Sequence, residues 1–145
     1  MDLTNTQEYF SNLSNNDIAI QMSEGSGKTT AVAYRAINAI NSNEKVIILY
    51  KEDDTKNIVA NIFNNEAVDY DMLYFHECLN PYDWIIELNN IDENTHIIID
   101  NFDKISSFEQ LDIVNDFSDN KCKSIAITIT GIRNIIPIHN IINNI

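Results

Sequence analysis

The chain has 145 residues, 44% of them hydrophobic, and a formal net charge of −13. That length and apolar content suit a single domain, residues 1–145, with a core of its own, and they argue against disorder. Nine Lys and Arg against 22 Asp and Glu disfavour autonomous binding to DNA or RNA. No apolar run approaches the roughly 20 residues of a membrane span.

The first residues, Met1 to Asn5, carry neither a basic region nor an apolar core, so a cytoplasmic setting without a secretory signal is the expectation. Cys78 and Cys122 have no metal-site spacing and fit reduced structural thiols. A helix is predicted over Thr6 to Leu13, then a strand over Asp17 to Gln21. Next comes Ser23-Glu24-Gly25-Ser26-Gly27-Lys28-Thr29-Thr30, which runs into a helical pattern from Lys28 to about Ile40. A strand, a small-residue loop ending in Gly-Lys-Thr, then a helix wraps backbone around a nucleotide phosphate. Gly25 and Gly27 let main-chain N–H groups turn inward as an anion nest, and the helix N-terminus adds its positive dipole end. Lys28 would reach the β- and γ-phosphates, and the Thr29 hydroxyl would ligate Mg2+. The candidate nucleotide-binding set is therefore Gly25, Ser26, Gly27, Lys28, Thr29 and Thr30. The full pattern also has a glycine six positions before the lysine, where this chain has Met22.

Lys45 to Tyr50 is a β-branched, apolar strand candidate. Asp53 or Asp54 is placed to cap a helix with Ile58, Val59, Ile62 and Phe63 on one face. Met72 to His76 reads as a shorter strand, and Pro81 opens a helix through Leu88. Thr95 to Asp100 is an apolar strand that ends abruptly in an acid. Asp100 has the position and context of the carboxylate that holds Mg2+, directly or through water. His96, on the same strand, reads as a core or edge side chain rather than a ligand. Many ATPases place a glutamate beside the magnesium acid to polarise the attacking water, but here the neighbour is Asn101. Asp103 lies two residues further on as a substitute base, so hydrolysis stays open at this point. Ser107 starts another helix, and Ser124 to Thr130 is a fifth strand. Thr128 and Thr130 are candidates to sense the γ-phosphate, and Arg133 to stabilise transition-state charge. The apolar run Ile135 to Ile142 either packs on its own sheet or presents a patch to a partner or a second copy.

Apolar strands alternating with amphipathic helices predict an α/β fold: a three-layer α-β-α arrangement with a mostly parallel, five-stranded sheet. Ligands of such sheets sit at the C-terminal ends of the strands, where the phosphate loop and Asp100 both fall.

From Leu3 to about Arg133 the chain resembles the first RecA-like domain of superfamily 1 helicases of the UvrD/Rep type, a P-loop NTPase. The resemblance is carried by Leu3-Thr4-Asn5-Thr6-Gln7, the Gly-Ser-Gly-Lys-Thr loop, the segment Lys45 to Asn57, and Asp100-Asn101-Phe102-Asp103. It implies ATP and Mg2+ as cofactors, Gln7 as the residue that reads adenine, and contact of Lys45 to Asn57 with single-stranded DNA. The spacing from Lys28 to Asp100 leaves no room for the domain these helicases insert, and no second RecA-like domain follows. The expectation is thus a truncated or partner-dependent ATPase domain rather than an autonomous helicase. A protein partner or self-association would complete the cleft, and nucleic acid would be met only with a partner. Ile97 to Asp103 and Ser124 to Arg133 also resemble signalling ATPases of the STAND and AAA+ type, whose spacing fits better. A non-hydrolysing nucleotide-binding module is the rival from another class. A small nucleoside kinase is disfavoured, because Arg35 and Arg133 are too few for an arginine-rich lid.

Overall fold

Three strands are buried over nearly their whole length: β2 (Val46–Tyr50), β4 (His96–Ile99) and β5 (Ser124–Thr130), of which only Thr130 is partly exposed. Strands buried on both faces have to be covered on both sides, which puts these three in the middle of a sheet with material packed on each face. The computed structural model describes residues 3–14, 18–22, 27–51, 53–79, 92–105, 122–130 and 134–137. Around the central strands lie β1 (Ile18–Met22), β3 (Leu73–Glu77) and β6 (Asn134–Pro137), in the spatial order β3-β2-β4-β5-β1-β6. The first five of that order run parallel, with Ile99 opposite Leu49 on one side and Ile127 on the other. Strand β6 is antiparallel to β1, pairing Asn134 with Gln21 and Pro137 with Ile18. The sheet therefore has one strand more than the five expected. The extra one comes from the apolar run after Arg133, which bonds edge-on to its own domain.

Side chains alternate across each strand, and the two faces collect separate cores. On one face Ile20, Val46, Ile48, Ile98 and Ala126 meet α1 (Asn5–Ser11), α2 (Lys28–Asn41) and α3 (Asp53–Asn65). Helix α2 turns Ala31, Val32, Ala36, Ile37 and Ala39 inward, and its small alanines let the helix lie close to the sheet. On the other face Ile47, Leu49, Ile97, Ile99, Ile125 and Ile127 pack with Phe102 and Ile105 of α4 (Phe102–Ile105), and with Cys78 and Cys122. Both cysteines are buried. The short helix α4 was not among the predicted elements. The helices expected from Pro81 and from Ser107 lie outside the described residues. No helix among the described residues is long and apolar enough to cross a membrane.

The strand order positions the site. Strand β1 feeds the loop into α2, yet it is separated from β2 by β4 and β5. The end of β4 is thus flanked by β5 on one side and by the β2–α3 connection on the other, with the β1–α2 connection one strand further away.

Candidate functional site

Asp100 directly follows β4 and has no exposed surface. Three threonine hydroxyls from three different elements donate to its carboxylate. Thr29 at the start of α2 donates to Oδ2 at 2.8 Å. Thr55 in the first turn of α3 donates to the same oxygen at 2.8 Å. Thr128 of β5 donates to Oδ1 at 2.6 Å. A buried carboxylate is costly unless hydrogen bonds replace its water, and each hydroxyl here has its proton to give. Because Thr29 spends its only proton on Asp100, its remaining lone pairs are left to face a cation. Thr55 was not among the candidate residues. It lies at a predicted helix start inside Lys45 to Asn57, the segment whose resemblance pointed to single-stranded DNA rather than to Asp100.

Gly27 is the residue that enters α2, in the left-handed region with φ of 92°. A Cβ there would also come closer to the Gln7 side-chain amide than real Cβ atoms come. The backbone thus favours glycine at this position, and any Cβ would in addition make the Gln7 amide shift. Gln7 caps its own helix: its N–H donates to Thr4 Oγ1 at 3.2 Å, while its Oε1 accepts from the Thr4 N–H at 2.9 Å. Its Nε2 donates to the Gly27 carbonyl at 3.1 Å. Gln7 therefore ties α1 to the residue that enters α2. Lys28 follows immediately and is 6% exposed. Thr30 lies one residue beyond Thr29 in α2 and is partly buried.

Asn101 is also left-handed, with φ of 54°, and its N–H donates to Thr128 Oγ1 at 2.8 Å. Asparagine tolerates that conformation and a glutamate does so less readily, so the residue type here answers to the backbone. Asp103 Oδ1 accepts the Thr130 N–H at 3.1 Å, which pins α4 to the end of β5. The two threonines considered as sensors divide. Thr128 is fully buried and engaged with Asp100 and Asn101. Thr130 keeps a buried hydroxyl oxygen with no hydrogen-bond partner among the described residues. Gly25, Ser26 and Arg133 lie outside the described residues.

The opposite end of the strands holds a second polar network. Arg35, fully buried in α2, donates from Nη1 to the carbonyls of Phe10 at 2.7 Å and Asn12 at 3.2 Å, and from Nη2 to Ser124 Oγ at 3.2 Å. Its guanidinium also stacks 5.5 Å from the Phe10 ring centroid. His96 bridges Ser124 Oγ at 2.6 Å and Glu44 Oε1 at 3.1 Å, and Lys123 reaches Glu44 at 3.4 Å. Burial holds the His96 pKa below its ordinary value, and the nearby Arg35 and Lys123 add to that against the opposing pull of Glu44. Burial alone would raise Glu44. Its contacts with His96 and Lys123 outweigh that and hold it below the ordinary carboxylate value. His96 is therefore a satisfied core histidine, as its place on the strand suggested. His96 and Ser124 are both 2% exposed, so neither is placed to meet a substrate.

The oxygen donors at Asp100 suit a hard divalent cation. Among the described residues no three His, Cys, Asp or Glu side chains gather to hold a metal by themselves. Mg2+ sites are commonly built from one or two protein oxygens together with substrate phosphates and water, and do not require such a group. An open groove of about 740 Å³ lies elsewhere, lined by α1 and α2 residues including Glu8, Tyr9 and Asn41, and it includes none of the Asp100 cluster. Compared with known proteins, the chain matches no family model and no curated protein sequence.

Proposed function

We propose that this chain is a Mg2+–ATP-binding P-loop domain of the helicase-like kind, one that acts on or with a partner. The observation that carries the reading is the hydrogen bond between Thr29 and Asp100, 71 positions apart. The hydroxyl that would hold magnesium and the acid that would support it meet at the C-terminal end of the sheet, immediately beyond Lys28. Thr29, with Asp100 behind it, would hold Mg2+, whose charge would offset that of the phosphates. Lys28 would add its ammonium to the same charge, and Gly27 would let the chain enter α2 with its N–H groups toward the phosphates. The unpartnered Thr130 hydroxyl supports a contact to the terminal phosphate from β5.

A second reading, binding without turnover, is favoured by Asn101 and Asp103. Asn101 cannot accept a proton from water, and Asp103 already holds the Thr130 N–H. The STAND or AAA+ type of signalling ATPase shares the binding chemistry and differs in what it moves. Calorimetry and a steady-state assay with ATP and Mg2+ separate these readings, with Lys28→Ala as control. Binding that Lys28→Ala abolishes supports the nucleotide site, and no binding by the wild-type chain overturns it. Turnover above that of Lys28→Ala supports an ATPase, and binding with equal turnover supports the non-hydrolysing module.

A further inference from the structure

We propose that Thr55 is a positioning residue of the magnesium site: its hydroxyl fixes the Asp100 carboxylate so that Thr29 presents its lone pairs to the cation. The inference rests on the nucleotide reading of the same site. Thr55 is 1% exposed, and its hydroxyl lies 2.8 Å from Asp100 Oδ2, the oxygen that also receives the Thr29 proton at 2.8 Å. Two donors on one oxygen occupy both of its lone-pair directions. Oδ1 meanwhile is held by Thr128 at 2.6 Å. The terminal torsion of an aspartate is soft and roughly two-fold, so a carboxylate keeps its plane only where donors hold both oxygens. Thr128 secures one oxygen from β5. Thr55 secures the other from α3, on the side away from β5.

Without Thr55, Oδ2 would be held only by Thr29, the group it has to orient. Rotation of the carboxylate would then turn the Thr29 hydroxyl with it. A valine would fill the same space as Thr55, so packing alone gives no reason for a hydroxyl here. The chemical role is support of the metal-facing group from outside, as partners of metal ligands commonly provide.

The test is calorimetric titration of ADP into the purified chain, with Mg2+ and again with excess chelator, for wild type, Thr55→Val and Thr55→Ser. The expected result is that Thr55→Val loses about tenfold of the affinity that Mg2+ adds, keeps the affinity measured without Mg2+, and that Thr55→Ser recovers it. An unchanged ratio of the two affinities in Thr55→Val overturns the role of Thr55 and leaves the nucleotide site standing. Wild type that binds no ADP in either condition overturns the nucleotide reading, and this inference with it. Should Thr55→Val fail to fold, as judged by circular dichroism, Thr55→Cys retains the size with a weaker donor and is expected to show the same reduced ratio. An unreduced ratio there is equally fatal.

Discussion

Gln7 Nε2 lies 3.1 Å from the carbonyl oxygen of Gly27, twenty residues further along the chain. The contact joins the first helix to the residue that enters α2. Two separate physical demands bear on Gly27, a left-handed φ and a side-chain amide that a Cβ would push aside. The two demands can be measured apart.

Gly27→Ala is expected to destabilise the fold by roughly 1–2 kcal/mol from the backbone alone, with a further loss from crowding Gln7. Combining it with Gln7→Ala removes the crowding and leaves the backbone cost. Urea unfolding of the two single variants and the double variant should therefore show a coupling between the positions. Strictly additive losses would show that the amide moves aside freely.

Asn101 carries the same signature without a glycine. Asn101→Ala should cost about 1 kcal/mol, because alanine lacks the local polar contacts that make the left-handed conformation tolerable for asparagine. Asn101→Gly should cost less than Asn101→Ala, and Asn101→Glu at least as much. Melting temperatures of the three variants decide the order. If glutamate is the best tolerated of them, the backbone is not what selects asparagine.

The pH dependence follows from the network at the other end of the strands. His96 has a folded pKa below its ordinary 6.5, so on acidification the unfolded chain takes up its proton first. Stability is then complete above that value and falls as the pH drops from 6.5 toward the lower folded value. Glu44, held below its ordinary 4.5, adds a second loss in the same direction as the pH falls past that point. Melting curves should shift downward on acidification from about pH 7, in two stages. In His96→Gln the upper stage should vanish; its persistence would assign the effect to other groups.

Arg35 anchors three elements, since from α2 its guanidinium reaches the carbonyl of Phe10 in α1, that of Asn12 just beyond it, and the Ser124 hydroxyl that begins β5. Arg35→Met should cost about 3 kcal/mol or more, because it leaves buried acceptors unpaired. Arg35→Lys should recover little, as one ammonium cannot span the fork that serves Phe10 and Ser124 together. Urea midpoints of the two variants test this, and a lysine variant near wild type would sink it.

Sequence reading alone reached the alternation of helices and strands, and an acid closing the strand that became β4. These are local properties: periodicity of apolar residues and β-branched runs. Strand order is not local. Placing β4 and β5 between β1 and β2 brought Thr29, Thr55 and Thr128 onto one carboxylate, from 71, 45 and 28 positions away. Neither the segment around Thr55 nor that around Arg35 points to these partners, because a hydrogen bond across that distance depends on which strands are adjacent. The left-handed turn at Asn101 is likewise legible only once its N–H is seen to meet Thr128. The sixth strand arises in the same way, from an apolar tail whose pairing partner, β1, stands far upstream. Sequence by itself determined which chemical groups this protein carries and the elements that bear them. The tertiary structure decided which of those groups share one acid, because burial leaves that carboxylate with no water and makes protein hydroxyls its partners.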